Sequence, residues 1–156
     1  MTKLAVHKVL INAPIETVWE KLVDWQNWTK WDKGMKSIQF KEPLALHAKG
    51  KIYLGKGLGG TLVVTEFNQG ESYKSEFKLF GSRYEFEHDL EQAANFTLVT
   101  FRVNADGYLA EMFQLFLMAK FSEALPQWMD NFKRLIEPQR VDQGSSTPEI
   151  DRVTEI

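Results

Sequence analysis

The chain contains no cysteine in its 156 residues. Disulfides, thiolate metal sites and a cysteine nucleophile are therefore excluded. It also has no block of basic residues, and its net charge is −2, so a nucleic-acid partner has no electrostatic basis. No apolar run approaches the length of a membrane span. Lys3, His7 and Lys8 interrupt the N-terminus, which does not read as a signal peptide; a cytoplasmic protein is the expectation. There is no Gly-x-Ser-x-Gly nucleophile elbow. His7, His47 and His88 show no ligand spacing, so no metal site is expected. Nor is a cofactor. Gly55-Lys56-Gly57-Leu58-Gly59-Gly60 matches G-x-G-x-x-G, but a strand-like segment follows it instead of a helix, and no Lys-Ser or Lys-Thr follows the glycines. The segment reads as a hairpin loop.

Aromatic residues are abundant, with 11 Phe, 5 Trp and 4 Tyr. They supply much apolar area per side chain and suit a core or an apolar pocket. The length suits one domain, and the composition is that of an ordinary globular chain.

Residues 3–12 read as a strand with apolar residues on both sides, which predicts that it is covered on both faces. Pro14 then starts a short helix that offers Ile15, Val18, Trp19 and Leu22 on one face. Asp24 is positioned to cap a second short helix carrying Trp25, Trp28 and Trp31. These indoles form either a pocket wall or packing that seats the short helices. From Lys36 the period changes to two, and strands are expected over 37–41, 51–54, 61–68, 73–80, 83–90 and 96–103. The intervals are too short for crossover helices, so the sheet is expected to be antiparallel. Arg83, Glu85, Glu87 and Asp89 alternate with Tyr84, Phe86, His88 and Leu90, giving one wet face and one aromatic face.

Residues 107–137 read as one long helix or two helices end to end. Leu109, Met112, Phe113, Phe116 and Leu117 make one stripe; Leu125, Trp128, Phe132 and Leu135 make another. The stripes centre about 100° apart, and Pro126 lies near the change, so a bend or break is expected between Lys120 and Pro126. Residues 138–156 are polar and lack periodicity, as a mobile tail would be, leaving a domain of residues 1–137.

The run Ile11-Asn12-Ala13-Pro14-Ile15-Glu16-Thr17-Val18-Trp19, followed by Leu22, Asp24, Trp28 and Trp31, resembles the opening of the START and pollen-allergen-like superfamily (SRPBCC). It is most similar to the polyketide cyclase/dehydrase-like branch. Val64-Thr65-Glu66, His88-Asp89-Leu90 and Thr97-Leu98-Val99-Thr100 agree in order. The resemblance implies an α+β helix-grip fold: a curved antiparallel sheet wrapped around a long C-terminal helix, with two short helices after the first strand and an apolar cavity between sheet and helix. It implies no single reaction, since superfamily members carry, sense, cyclise or hydrolyse different ligands.

On the inward face, Tyr73, Phe77, Tyr84, Phe86, His88 and Phe101, with Met112 and Phe116 from the helix, are the expected ligand-binding residues. His88 is the candidate acid/base or ligand contact, or else a core histidine satisfied by backbone or water. Three functions follow: a carrier or sensor of a hydrophobic small molecule such as a lipid or polyketide; a cyclase or dehydratase using His88 with Tyr73, Tyr84 or Ser75; and a protein-interaction domain like the heat-shock-chaperone ATPase activators. The first leads, because no nucleophile, base and oxyanion site assemble and no apolar stripe is left over for a protein partner. The polar tail carries no core residues, so a chain ending at Pro138 is expected to keep its melting temperature; a large drop would refute the domain boundary.

Overall fold

A computed structural model describes residues 1–137, so the expected tail lies outside the described residues. The elements in order are β1 (Thr2–Ile11), α1 (Ile15–Leu22), a 3-10 helix (Trp25–Lys30), β2 (Ser37–Phe40), β3 (Lys49–Gly55), β4 (Leu58–Asn68), β5 (Ser72–Leu79), β6 (Ser82–Ala93), β7 (Phe96–Asp106), α2 (Tyr108–Met112) and α3 (Gln114–Ile136). The strands form one antiparallel sheet in the order β1-β7-β6-β5-β4-β3-β2. With the long terminal helix against it, this is the expected helix-grip arrangement. The second short helix proves to be 3-10.

Because β1 and β2 occupy opposite edges of the sheet, α1 and the 3-10 helix must carry the chain across one end of it. Pro14 precedes α1 with φ −63°, and its carbonyl accepts the Val18 N–H at 3.1 Å. Buried Val18, Trp19 and Leu22 then face the core. Asp24 stands at the head of the 3-10 helix, but its carboxylate takes the Asn27 side-chain amide at 2.6 Å instead of capping the backbone. Three residues per turn bring Trp25 and Trp28 to one side, where both meet Phe40. The Trp28 indole donates to the Leu22 carbonyl at 2.7 Å.

Strand register separates the two faces. Across β5, β6 and β7, Lys74, Glu87 and Arg102 stand side by side on the outer face. Lys74 pairs with Glu87 at 3.0 Å, and Arg102 pairs with Asp89. Arg83 pairs with Asp106 at 2.6 Å and holds that carboxyl below its ordinary range by hydrogen bonding. On the inner face the same register aligns Tyr73, His88 and Phe101 in one row, Ser75, Phe86 and Val103 in the next, and Phe77 and Tyr84 in the one after. At the β3–β4 hairpin Lys56 and Gly57 both have positive φ, as a tight turn matching strand twist requires.

Two expectations about the helices are corrected. The break falls at Phe113, between α2 and α3, and α3 runs unbroken through Pro126. Ser122, whose carbonyl would have received the missing proline N–H, is exposed and can be served by water. The first expected stripe is split by the break at Phe113, and within α3 two adjacent faces are apolar. Leu125, Met129 and Phe132 are buried, while Leu117, Phe121, Ala124 and Trp128 lie about 90° round the helix. The corner between α2 and α3 also leaves apolar side chains in solvent: Tyr108, Leu115 and Phe116 are 71%, 82% and 64% exposed. Among the described residues an unpartnered apolar surface thus exists after all. Likewise β1 is an edge strand with Val6 and Leu10 exposed, covered on one face only.

Gly107 makes the turn from β7 into α2, with φ +105°. A Cβ there would sit 2.6 Å from the Gly81 carbonyl oxygen and 2.8 Å from the Ser82 Cα, beside the Ser82 hydroxyl that accepts the Ala110 N–H. Gly107→Ala is expected to destabilise by at least about 2 kcal/mol in urea unfolding, from left-handed strain plus a clash with backbone. Gly70→Ala, at φ +80° with nothing near, should cost only the strain, about 1 kcal/mol. Equal effects would refute the close approach.

Candidate functional site

The cavity exists because α3 packs mainly along β1, at one edge of the sheet, and not over its middle. The concave face from β3 to β6 is left without a helix directly on it. The resulting cavity has a volume of about 260 Å³. Its floor comes from the strands: Ile52 and Leu54 of β3, Leu62 of β4, Tyr73, Ser75 and Phe77 of β5, Tyr84, Phe86 and His88 of β6, and Phe101 of β7. Helix α3 supplies the opposite wall through Leu117, Lys120, Phe121, Ala124 and Trp128. Trp28, Trp31 and Asp32 close the end near the 3-10 helix. Trp28 lies parallel to Tyr73 with centroids 6.1 Å apart, so it is at once pocket wall and packing. Trp31 instead packs on Phe132 at 4.9 Å. Trp25 does not reach the cavity.

Few polar groups border this apolar space. His88 is 4% exposed, stacked on Tyr73 at 4.5 Å and edge-on to Phe101 at 4.1 Å. Neither ring nitrogen has a hydrogen-bond partner among the described residues. Burial lowers its pKa from 6.5 to about 3, so the imidazole is neutral. Asp32, half-buried at the cavity's edge, accepts the Gly34 N–H at 2.9 Å, yet desolvation of its carboxyl pushes it up from 3.8 to about 6. Burial, and next the Asp32 charge, hold the Tyr73 hydroxyl well above its ordinary range. Ser75 is buried beside them.

Of the expected site residues, Tyr73, Phe77, Tyr84, Phe86, His88 and Phe101 come together on the cavity floor. Met112 and Phe116 do not: both are more than half exposed at the α2–α3 corner, because the break at Phe113 turns that stripe away from the sheet. Leu117 and Phe121 take their place. Asp32 was not anticipated. It lies in an irregular segment where no periodicity assigns a direction, and its adjacency to Trp31 was the only available signal. Asp106 is placed on the outer face with Arg83.

The two shifted groups oppose each other in their effect on stability. The folded pKa of His88 is depressed, so its contribution is complete above 6.5 and is lost as pH falls towards 3. That of Asp32 is raised, so its contribution is complete below 3.8 and is lost as pH rises through about 6. Between these limits each changes stability by up to about 1.4 kcal/mol per pH unit, with opposite sign. Relative to wild type, Asp32→Asn should therefore lose stability faster on acidification from pH 6 to 4, and His88→Phe more slowly. Urea unfolding across that range measures both, and three parallel curves would refute the assignment.

Comparison with known proteins agrees with this architecture. The family model described as polyketide cyclase / dehydrase and lipid transport matches residues 2–137. Among solved structures, the hypothetical protein jhp0584 from Helicobacter pylori superposes with a TM-score of 0.70 at 14% identity, over 84% of this chain and 86% of that one. TTHA0849 from Thermus thermophilus gives 0.69 at 11% identity, over 86% and 97%. DynU16, a putative protein in the dynemicin biosynthetic locus, gives 0.66 at 16% identity, over 85% of this chain and 46% of its own. No curated protein matches. The fold, the cavity between sheet and helix and the match along residues 2–137 make this chain a member of the polyketide cyclase/dehydrase and lipid-transport family.

Proposed function

We propose that this domain binds a hydrophobic small molecule, a lipid, polyketide or similar compound, between the sheet and α3, and acts as a cytoplasmic carrier or sensor with no nucleic-acid partner. The observation that carries this is the cavity itself. About 260 Å³ of space is bounded mainly by aromatic and aliphatic side chains, with Ser75, His88, Asp32, Lys120 and the hydroxyls of Tyr73 and Tyr84 as the polar exceptions. Burial of apolar area, at about 25 cal/mol per Å², would supply most of the affinity, and a few polar contacts would set orientation. The volume lies just under the drug-sized range of about 300–1,000 Å³, too small to enclose a two-chain lipid.

A cyclase or dehydratase reading is weaker. A general base works best with a pKa near the working pH, and at about 3 the His88 imidazole is a poor one. It is also hydrogen-bonded to no described group that could orient it. The exposed corner at Tyr108, Leu115 and Phe116 favours a protein-interaction role as the second reading. A change inside the cavity would leave such a role untouched.

Ala124 faces the cavity from α3, so Ala124→Trp should fill it. Native mass spectrometry of the protein as purified, with extraction of any bound molecule, is expected to show cargo on the wild type. The Ala124→Trp variant should lose that cargo while its melting temperature holds. Retention of the same molecule by a folded Ala124→Trp protein would reject the cavity as the site.

A further inference from the structure

The geometry points to a cavity ligand that presents a hydrogen-bond donor, a hydroxyl or a protonated amine, to the carboxylate of Asp32, and to discrimination against ligands that end in a carboxylate. This rests on the reading of the cavity as a ligand site and adds the chemistry of its polar end.

Asp32 borders the cavity between Trp31 and Gly34. Its Oδ1 is engaged by the Gly34 N–H at 2.9 Å, while no described residue donates to Oδ2 and no described cation forms an ion pair with the carboxylate. Gly34 brings this carboxylate close to the Trp128 ring. A Cβ there would stand 2.7 Å from the Trp128 Cζ2 and 3.1 Å from Asp32 Oδ1, so only the bare backbone lets the loop pass under the indole. An acceptor in a cavity lined by aromatic rings suits an amine or hydroxyl on an apolar body, because ring faces attract a cation and the carboxylate takes its hydrogen. Asp32 is only partly buried, but a carboxylate on the cavity wall with an oxygen that no described residue engages still repels a second carboxylate. His88 is a second, independent sign of polar ligand atoms. Its imidazole, 4% exposed, reaches the same cavity with both nitrogens unpartnered.

The other titratable groups on the lining are Tyr73 of β5, Tyr84 and His88 of β6, and Lys120 of α3. Only Lys120 is ordinarily cationic. It is exposed on α3 and forms no ion pair with Asp32. Burial raises the Asp32 and Tyr73 pKa values.

The test uses three probes on one ring system: 1-naphthylmethylamine, 1-naphthalenemethanol and 1-naphthoic acid, titrated calorimetrically into the purified protein at pH 7.5 and 5.0. At pH 7.5 the amine or the alcohol, or both, should bind at least about tenfold tighter than the acid, the gain typical of one charge-assisted hydrogen bond. At pH 5.0 Asp32 is largely protonated while a probe carboxylate, with an ordinary pKa near 4, stays mostly ionised, so the preference should shrink. Asp32→Asn keeps an oxygen for Gly34 and should flatten the ranking at both pH values. If that variant fails to fold, the wild-type pH comparison decides alone. An acid probe that binds as tightly as the other two at pH 7.5, or a ranking unmoved by both pH and Asp32→Asn, overturns the inference and leaves the cavity as a ligand site. Binding of none of the three overturns it together with the cavity reading.

Discussion

Helix α3 cannot bury Leu125, Met129 and Phe132 and also cover the whole concave face. A helix with its side chains is about 10–12 Å across, while seven strands at about 4.8 Å spacing span nearly 30 Å. It must choose part of the sheet, and it settles along β1. Its C-terminal end is held there by Glu137, whose carboxylate accepts the Asn12 N–H at 2.9 Å. The space over β3 to β6 then has to be filled by something else. Trp28 and Trp31 fill one end from the 3-10 helix, and what they leave is the cavity. Its position follows from the mismatch in width between one helix and seven strands.

The polar groups on its wall run against stability. A buried imidazole with both nitrogens unpaired forfeits about 1–3 kcal/mol, and a carboxylate raised to about 6 is destabilised when ionised at neutral pH. Phenylalanine at 88 would continue the aromatic row of Tyr73 and Phe101 without that penalty. Groups held in a costly state within one cavity suit a site whose occupant completes their hydrogen bonds. The outer face is arranged the opposite way, with charges meeting opposite charges across the ladder, as at Lys74, Glu87 and Arg102.

The sheet was legible because period-two alternation carries direction. Once Tyr84, Phe86 and His88 are assigned inward, the register places them beside Tyr73, Phe77 and Phe101. The helix was less legible. Residues 107–137 hold too many apolar side chains for one stripe, and grouping Trp128 with Leu125 and Phe132 hid the fact that two adjacent faces are apolar for different reasons, one for the core and one for the cavity. Nothing local marked Phe113 as the joint. That follows from Gly107 and Ser82 tying α2 to the start of β6, a contact made across 28 residues of sequence. Met112 and Phe116 were misplaced for that reason.

Asp32 shows where sequence reading stops and why the chemistry must be argued from this chain alone. The three solved structures compared above share 11% to 16% of its residues, so what they have in common with it is the fold. The strand positions of the lining are fixed in direction by the pleat, whatever residue occupies them. Asp32 sits in the irregular link between the 3-10 helix and β2, where direction depends on the particular turn closed by Gly34. Such a link can gain or lose an acid without disturbing the fold, whereas an acid at Phe86 or Phe101 would sit in the middle of the aromatic floor. Variation of function within one fold is therefore expected to concentrate at links of this kind, and here the link delivers the one carboxylate that the described residues place on the cavity lining.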